Sequence, residues 1–181
     1  FYPSSSSDNL DRYVVYNYGQ QIWYYGSLER TAWIARGVFP YPIAASLDGY
    51  LYYHEYGLND GSQNPPVGID SYIESSPIDI GDGDRFMLVQ RIIPDITFRS
   101  STGTPSVDFT LKAQDYPGNN YSDTVSRAAI RSATVPIEQY TPEQFVRIRG
   151  RSIAVRVESD QINTAWRLGA PRIDMRPDGR R

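Results

Sequence analysis

The stretch "SVDFTLKA", Ser106 to Ala113, alternates without a fault, with Val107, Phe109, Leu111 and Ala113 on one side and Ser106, Asp108, Thr110 and Lys112 on the other. Successive strand residues leave opposite faces, so a strict two-residue rhythm describes a strand with one buried face and one wet face. Two further stretches keep the rhythm but change its phase. In "FVRIRGRSIAVRVESD" the apolar positions are even at Val146 and Ile148 and odd at Ile153, Val155 and Val157, with the change near Gly150. In "WRLGAPRIDMRP" they are even at Trp166 and Leu168 and odd at Ile173 and Met175, changing across Gly169-Ala170-Pro171. A phase change needs a turn or a bulge, because a one-residue slip moves every side chain to the other face. Strands at such spacing describe a β-sandwich or jelly-roll-like module over residues 70–181.

The same rhythm places Phe86, Leu88, Ile92, Ile96 and Phe98 on the core face of "RFMLVQRIIPDITFR", with Arg91, Asp95, Thr97 and Arg99 opposite. Pro94 cannot donate to a ladder, so an edge position or a bulge is expected there. The 15 Tyr and 13 Pro, with few good helix formers in any unbroken stretch, favour an all-β fold. Residues 1–60 carry the motifs of an antiparallel β meander resembling part of a propeller blade. "RYVVYNY" and "IWYYGSL" are joined by Gly19-Gln20-Gln21, "RTAWIAR" follows as a third strand, and Asp48-Gly49 signals a type I′ hairpin between a fourth and a fifth. "YGLNDGSQNPPVGID", Tyr56 to Asp70, is dense in turn residues and marks the boundary between the two modules.

Net charge is −3, but Phe145 to Arg181 carries nine Arg against Glu158, Asp160, Asp174 and Asp178, leaving −8 for residues 1–144. These arginines alternate with Ile and Val and lack interleaved aromatics, which favours a solvated sheet face over a nucleic-acid site. Of 18 Lys+Arg only Lys112 is a lysine. Guanidinium suits packed interfaces, although a GC-rich genome yields the same bias. No cysteine is present, which removes disulfides and thiolate metal sites. No run approaches the roughly 20 apolar residues of a membrane helix. The opening "FYPSSSSDNLDR" has neither a basic nor an apolar leader region and is taken as the edge of a longer protein.

Chemistry-bearing motifs are sparse. His54 is the single histidine, and Glu55 beside it points to the other strand face, so His54 is taken as an ordinary strand residue. In "DIGDGD" the carboxylates of Asp79, Asp82 and Asp84 have the oxygen chemistry for a hard cation such as Ca²⁺ but not the spacing of an EF-hand. Asp-Gly pairs are also ordinary turn residues, and the turn is preferred. Glu74 and Asp79 form a glycosidase pair only in the sense that any two carboxylates do. The tyrosines suit stacking on sugars as well as they suit a sheet. No cofactor is expected.

"SYIESSPIDIGDGDRFMLVQRIIPD", "FVRIRGRSIAVRVESD" and the terminal "WRLGAPRIDMRPDGRR" together resemble the C-terminal part of virion structural proteins of short-tailed bacteriophages, the tail nozzle or head-to-tail stabilisation group. "YVVYNYGQQIWYYGSLERTAWI" resembles the blade-like meander that precedes that part, so the resemblance runs from about Arg12 to Arg181. It implies a non-enzymatic subunit of a homo-oligomeric ring in the virion tail, closing the DNA-filled head and forming the exit channel. Partners would be further copies and other tail or connector proteins, with non-specific contact to packaged DNA. In that setting Arg176, Arg180 and Arg181 are expected to bridge to carboxylates of a neighbouring subunit. The rival classes are a carbohydrate-binding β-sandwich module, requiring a row of exposed Tyr or Trp, and a polysaccharide-cleaving enzyme, requiring two carboxylates in a cleft.

Overall fold

The computed structural model describes residues 1–81, 83–116 and 131–180. Among the described residues every regular element is a strand, in several antiparallel sheets, so the protein is all-β. The chain divides into two compact units, Phe1–Gly57 and Leu58–Arg181.

The first unit contains β1 (Arg12–Asn17), β2 (Ile22–Ser27), β3 (Ala32–Ile34), β4 (Ile43–Ala45) and β5 (Leu51–Tyr53). β1 and β2 pair along their whole length, from Arg12 opposite Ser27 to Asn17 opposite Ile22. Asn17 shapes the turn, its side-chain oxygen accepting from the Gly19 and Gln20 amides at 3.1 Å each. The row of three strands expected here does not form. The amides of Leu28 and Arg30 donate to the carbonyls of Asp11 and Leu10, so the chain leaving β2 stays along the approach to β1, and β3 pairs with β4 in a separate sheet, β3-β4-β5. Asp48-Gly49 does join β4 to β5, but not as a type I′ turn. Only Gly49 has positive φ, at 85°, and the loop closes more widely, between Ser46 and Tyr50. Asp48 instead accepts from the Tyr50 amide at 3.0 Å and the Tyr52 hydroxyl at 2.5 Å.

The second unit begins with β6 (Asn59–Asp60) and β7 (Val67–Gly68), a short ladder inside the stretch expected to be pure loop. Asn59 and Asn163 hold it to the rest of the unit through two hydrogen bonds, 2.6 and 2.7 Å. Then follow β8 (Ser71–Glu74), β9 (Ile78–Asp79), β10 (Met87–Ile93), β11 (Ile96–Phe98), β12 (Ser106–Gln114), β13 (Arg131–Glu138), β14 (Gln144–Gly150), β15 (Ser152–Ser159), β16 (Trp166–Leu168) and β17 (Arg172–Pro177). One sheet has the order β13-β12-β15-β8, with β9 also on β15; a second is β14-β10-β17; β11 pairs with β16. Their inward faces share one core of Met87, Val89, Ile92, Phe109, Leu111 and neighbours, all nearly free of solvent.

Val107, Phe109, Leu111 and Ala113 of β12 are all buried in the core as expected, but the opposite face is not wet along its length: Asp108 is exposed, whereas Thr110, Lys112 and Gln114 are buried too, Lys112 by its ion pair with Glu74. β10 does not keep a single phase. The ladder shifts register between Val89 and Arg91 on both neighbours, so the core residues are Met87, Val89 and Ile92, while Leu88 faces outward. A bulge adds one residue and reverses the phase beyond it, which is why a single parity misassigns this strand. Pro94 lies in the break between β10 and β11, and β10 is a central strand rather than an edge.

At Gly150 the chain passes from the three-stranded sheet into the five-stranded one. A Cβ there would lie 2.9 Å from Ala113 Cβ and 3.1 Å from the Ser152 carbonyl, so only glycine lets the corner close this tightly. The Arg151 amide donates to the Gln114 carbonyl at 2.8 Å and fixes the crossing. Phe109→Ala removes the largest fully buried side chain. It is expected to destabilise the second unit by about 3–5 kcal/mol, read as a lower denaturation midpoint followed by Trp166 fluorescence.

Candidate functional site

The first unit has almost no interior. Ala44 and Pro42 are its only buried residues among those described, whereas Val14, Val15, Tyr16, Ile22, Trp23, Tyr24 and Tyr25 are all exposed. The cause lies in the β1-β2 pattern, which is apolar on both faces. Paired residues share a face, so Val14-Tyr25 and Tyr16-Trp23 occupy one side and Val15-Tyr24 the other. Tyr25 is 76% exposed and Trp23 66%. An isolated two-stranded hairpin is marginal in water, and a ribbon apolar on both sides gains its stability only when both sides are covered. Tyr16 and Trp23 already stack, at 4.5 Å between ring centroids.

Two smaller groups accompany the hairpin. Tyr41, Tyr53 and Tyr56 form a mutually touching set, with centroids 5.0 to 6.2 Å apart and hydroxyl-bearing rings exposed. His54, just past β5, lies 4.6 Å from the Trp33 ring and accepts a 3.0 Å hydrogen bond from Arg30 Nε through its Nε2. Arg30 itself sits 5.0 Å above the Tyr52 ring. Burial, then the Arg30 charge, hold the His54 pKa below its ordinary value, against a smaller opposing pull from Glu55. The accepting Nε2 requires the neutral imidazole, so His54 is a packed structural residue here.

Arg180 and Asp84, far apart in the sequence, meet in space. Beyond β17 the backbone continues to pair, with the Asp178 amide donating to the Phe86 carbonyl at 2.7 Å and the Phe86 amide to the Gly179 carbonyl at 2.8 Å. Arg149 covers the Phe86 ring at 3.9 Å and pairs with the Asp178 carboxylate. Arg151 donates to the carbonyls of Asp84 at 3.1 Å and Arg180 at 3.2 Å, while the Arg180 guanidinium reaches Asp84 at 3.4 Å. Arg180 thus engages its own unit. Arg176, on β17, is exposed and has no ion-pair partner among the described residues. Asp82 and Arg181 lie outside the described residues. Asp79 sits on β9 opposite Ser152, and no group of three or more potential metal ligands occurs among the described residues.

One cluster has no signal in local sequence. On the outer face of the five-stranded sheet Glu74 Oε2 accepts from Lys112 Nζ at 2.9 Å and from Arg156 at 3.2 Å, and Arg156 Nε donates to Glu158 at 2.7 Å. The Arg156 guanidinium also lies 3.9 Å above the Tyr72 ring. Burial opposes the charge on Arg156, but its hydrogen bonds to Glu158 and Glu74 outweigh this and raise its pKa. Glu74, one half of the carboxylate pair considered with Asp79, is therefore occupied as a counter-ion. Its partners come from strands 38 and 82 residues away, a pairing that only the fold supplies.

No protein-family model matches this chain, and no curated protein sequence matches it.

Glu74→Ala leaves Lys112 and Arg156 without a shared carboxylate on a mostly covered surface. A loss on the order of 3 kcal/mol is expected in urea denaturation of the second unit. His54 titrates below its unfolded value near 6.5, so the unfolded chain takes up the proton first. Stability of the first unit is therefore fully present above about pH 6.5 and falls as the pH drops through that value toward the folded pKa. His54→Gln is expected to abolish this dependence in thermal melts between pH 5 and 7.5.

Proposed function

We propose that this chain is a structural, non-enzymatic subunit of a short-tailed bacteriophage tail, at the nozzle or head-to-tail connector, assembling as a ring that closes the head and lines the DNA exit. The observation that carries the assembly part of this reading is the first unit's two-faced aromatic hairpin without a core. A propeller blade packs each of its faces against a neighbouring blade, so it needs apolar side chains on both sides. Val14, Tyr16, Trp23 and Tyr25 on one side and Val15 and Tyr24 on the other meet that requirement. The second unit, a jelly-roll-like body in this reading, supplies a self-sufficient core and a rigid frame. The tail assignment rests on the resemblance of the quoted phrases. Of the three terminal arginines proposed to bridge subunits, Arg176 is the one with a described position and no ion-pair partner among the described residues.

A second reading is favoured by Tyr41, Tyr53 and Tyr56. Clustered, exposed rings with hydroxyl tips suit stacking on a sugar, as in a carbohydrate-binding module. The two readings separate in solution. Mass photometry of the full chain is expected to show particles well above the 20.5 kDa protomer, and Trp23→Glu with Tyr25→Glu to shift them toward monomer without changing the melting of the second unit. A monodisperse monomer whose first unit resists proteolysis would sink the assembly reading. Glycan binding lost in Tyr53→Ala, without any assembly, would replace it with the sugar module.

A further inference from the structure

The outer face of the β14-β10-β17 sheet carries a concentration of arginine that strand alternation alone does not reveal. Leu88 on β10 stands opposite Arg149 on β14 and opposite Arg176 on β17, so the two guanidinium groups flank it in one cross-strand row. With strands about 4.8 Å apart, the row spans roughly 10 Å. On the β14 side it opens into a shallow depression of about 450 Å³ lined by Leu88, Arg131, Arg147, Arg149 and Asp178 among others. Arg131 comes from the other sheet: β13 and β14 are both edge strands, and Arg131 Nε reaches across to the Arg149 carbonyl at 3.1 Å. Asp115 and Asp178 hold Arg131 and Arg149 in place. Arg147, Arg172 and Arg176 are exposed and have no ion-pair partner among the described residues.

Charge and geometry select the ligand. Three arginines line one depression and two carboxylates, Asp115 and Asp178, pair with two of them, which leaves a local excess of positive charge that Arg176 and Arg172 extend beyond the depression. A single small anion uses one such point, whereas a chain of phosphates uses several at once. Planar guanidinium forks match phosphate oxygens two at a time. We propose that this face binds the phosphate backbone of nucleic acid without reading its sequence, with the Arg131-Arg147-Arg149 depression as its centre and Arg176 as an outlying contact. The protein's net charge of −3 gives no long-range attraction, and beyond about 8 Å at physiological salt other charges are screened, so binding is local and weak. Dissociation constants of roughly 10⁻⁴ to 10⁻⁶ M are the range for contacts of this kind. This deepens the proposed role at a DNA exit and rests on that reading, by naming the face and the residues that would meet phosphate.

The test is fluorescence anisotropy of a labelled 20-base-pair duplex titrated with the full chain from 50 to 200 mM NaCl, with unrelated duplex sequences compared. Affinity is expected to fall steeply with salt and to be the same for each sequence. Arg147→Ala and Arg176→Ala are each expected to lower the slope of log K against log salt by about 0.9, with Arg147→Lys retaining it. Both residues are exposed, and circular dichroism of each variant checks the fold; Arg172→Ala serves in place of a variant that fails. No binding at 50 mM NaCl overturns the proposal, as does binding whose salt slope is unaltered in these variants. Polygalacturonate or polyglutamate bound in preference to the duplex would reassign the face to an acidic polysaccharide or an acidic protein. Assembly by mass photometry is independent of either result, so failure here leaves the subunit reading standing.

Discussion

Burial of one face of β12 is the constraint around which the second unit is organised. Val107, Phe109, Leu111 and Ala113 are fully covered, and the strand hydrogen-bonds to β13 on one side and β15 on the other. That fixes the register of both neighbours, because a shift by one residue would bring Asp108, Thr110 and Lys112 into the core. β15 in turn carries β8 and β9, and the Gly150 corner ties it to β14 and the opposing sheet. Each later placement, including the arginine face and the Glu74 cluster, inherits its position from this ladder.

How much of this can be read from the residues depends on how local the cause is. The inward set of β12 is legible because pleat geometry acts within one strand. So is the phase change at Gly150, where the pattern itself demands a corner. The inward set of β10 is not: its bulge responds to two neighbouring strands at once, and no run of seven residues announces it. The Glu74-Lys112-Arg156 cluster and the meeting of Arg180 with Asp84 are illegible for the same reason, since both join residues far apart along the chain. In the first unit the strands are visible as aromatic runs, but their division into two sheets depends on the Asp11-Leu28 and Leu10-Arg30 contacts, which no propensity encodes.

The two units differ in what stabilises them. The second buries a continuous apolar interior and closes its end with Phe86 sandwiched beneath Arg149 and Arg151. The first relies on hairpin pairing, ring stacking and a few polar contacts such as Ser4 to Asp11, with most of its aromatic side chains exposed. Hydrophobic surface left uncovered on both sides of a ribbon is a cost to a freestanding domain and a source of binding energy to an assembled one. The distribution of apolar residues thus assigns different tasks to the two halves: one holds its own shape, and the other gains stability when covered.

Arginine serves two purposes in the second unit, and the difference lies in geometry rather than residue type. Arg149, Arg151 and Arg156 lie against rings and carbonyls or carboxylates of their own unit, where planarity and multiple donors allow one side chain to satisfy several acceptors. Lysine offers no flat face for Phe86 or Tyr72, so its near absence from the chain follows naturally at these positions. Arg147, Arg172 and Arg176 stand exposed on the outer face of one sheet and make no ion pair among the described residues. An exposed arginine outside any internal ion pair keeps its conformational freedom in the free protein, and ordering it costs entropy only when a partner is met. The nucleic-acid backbone proposed as the ligand of this face suits such side chains, being extended, negatively charged at repeated intervals and able to use a shallow site.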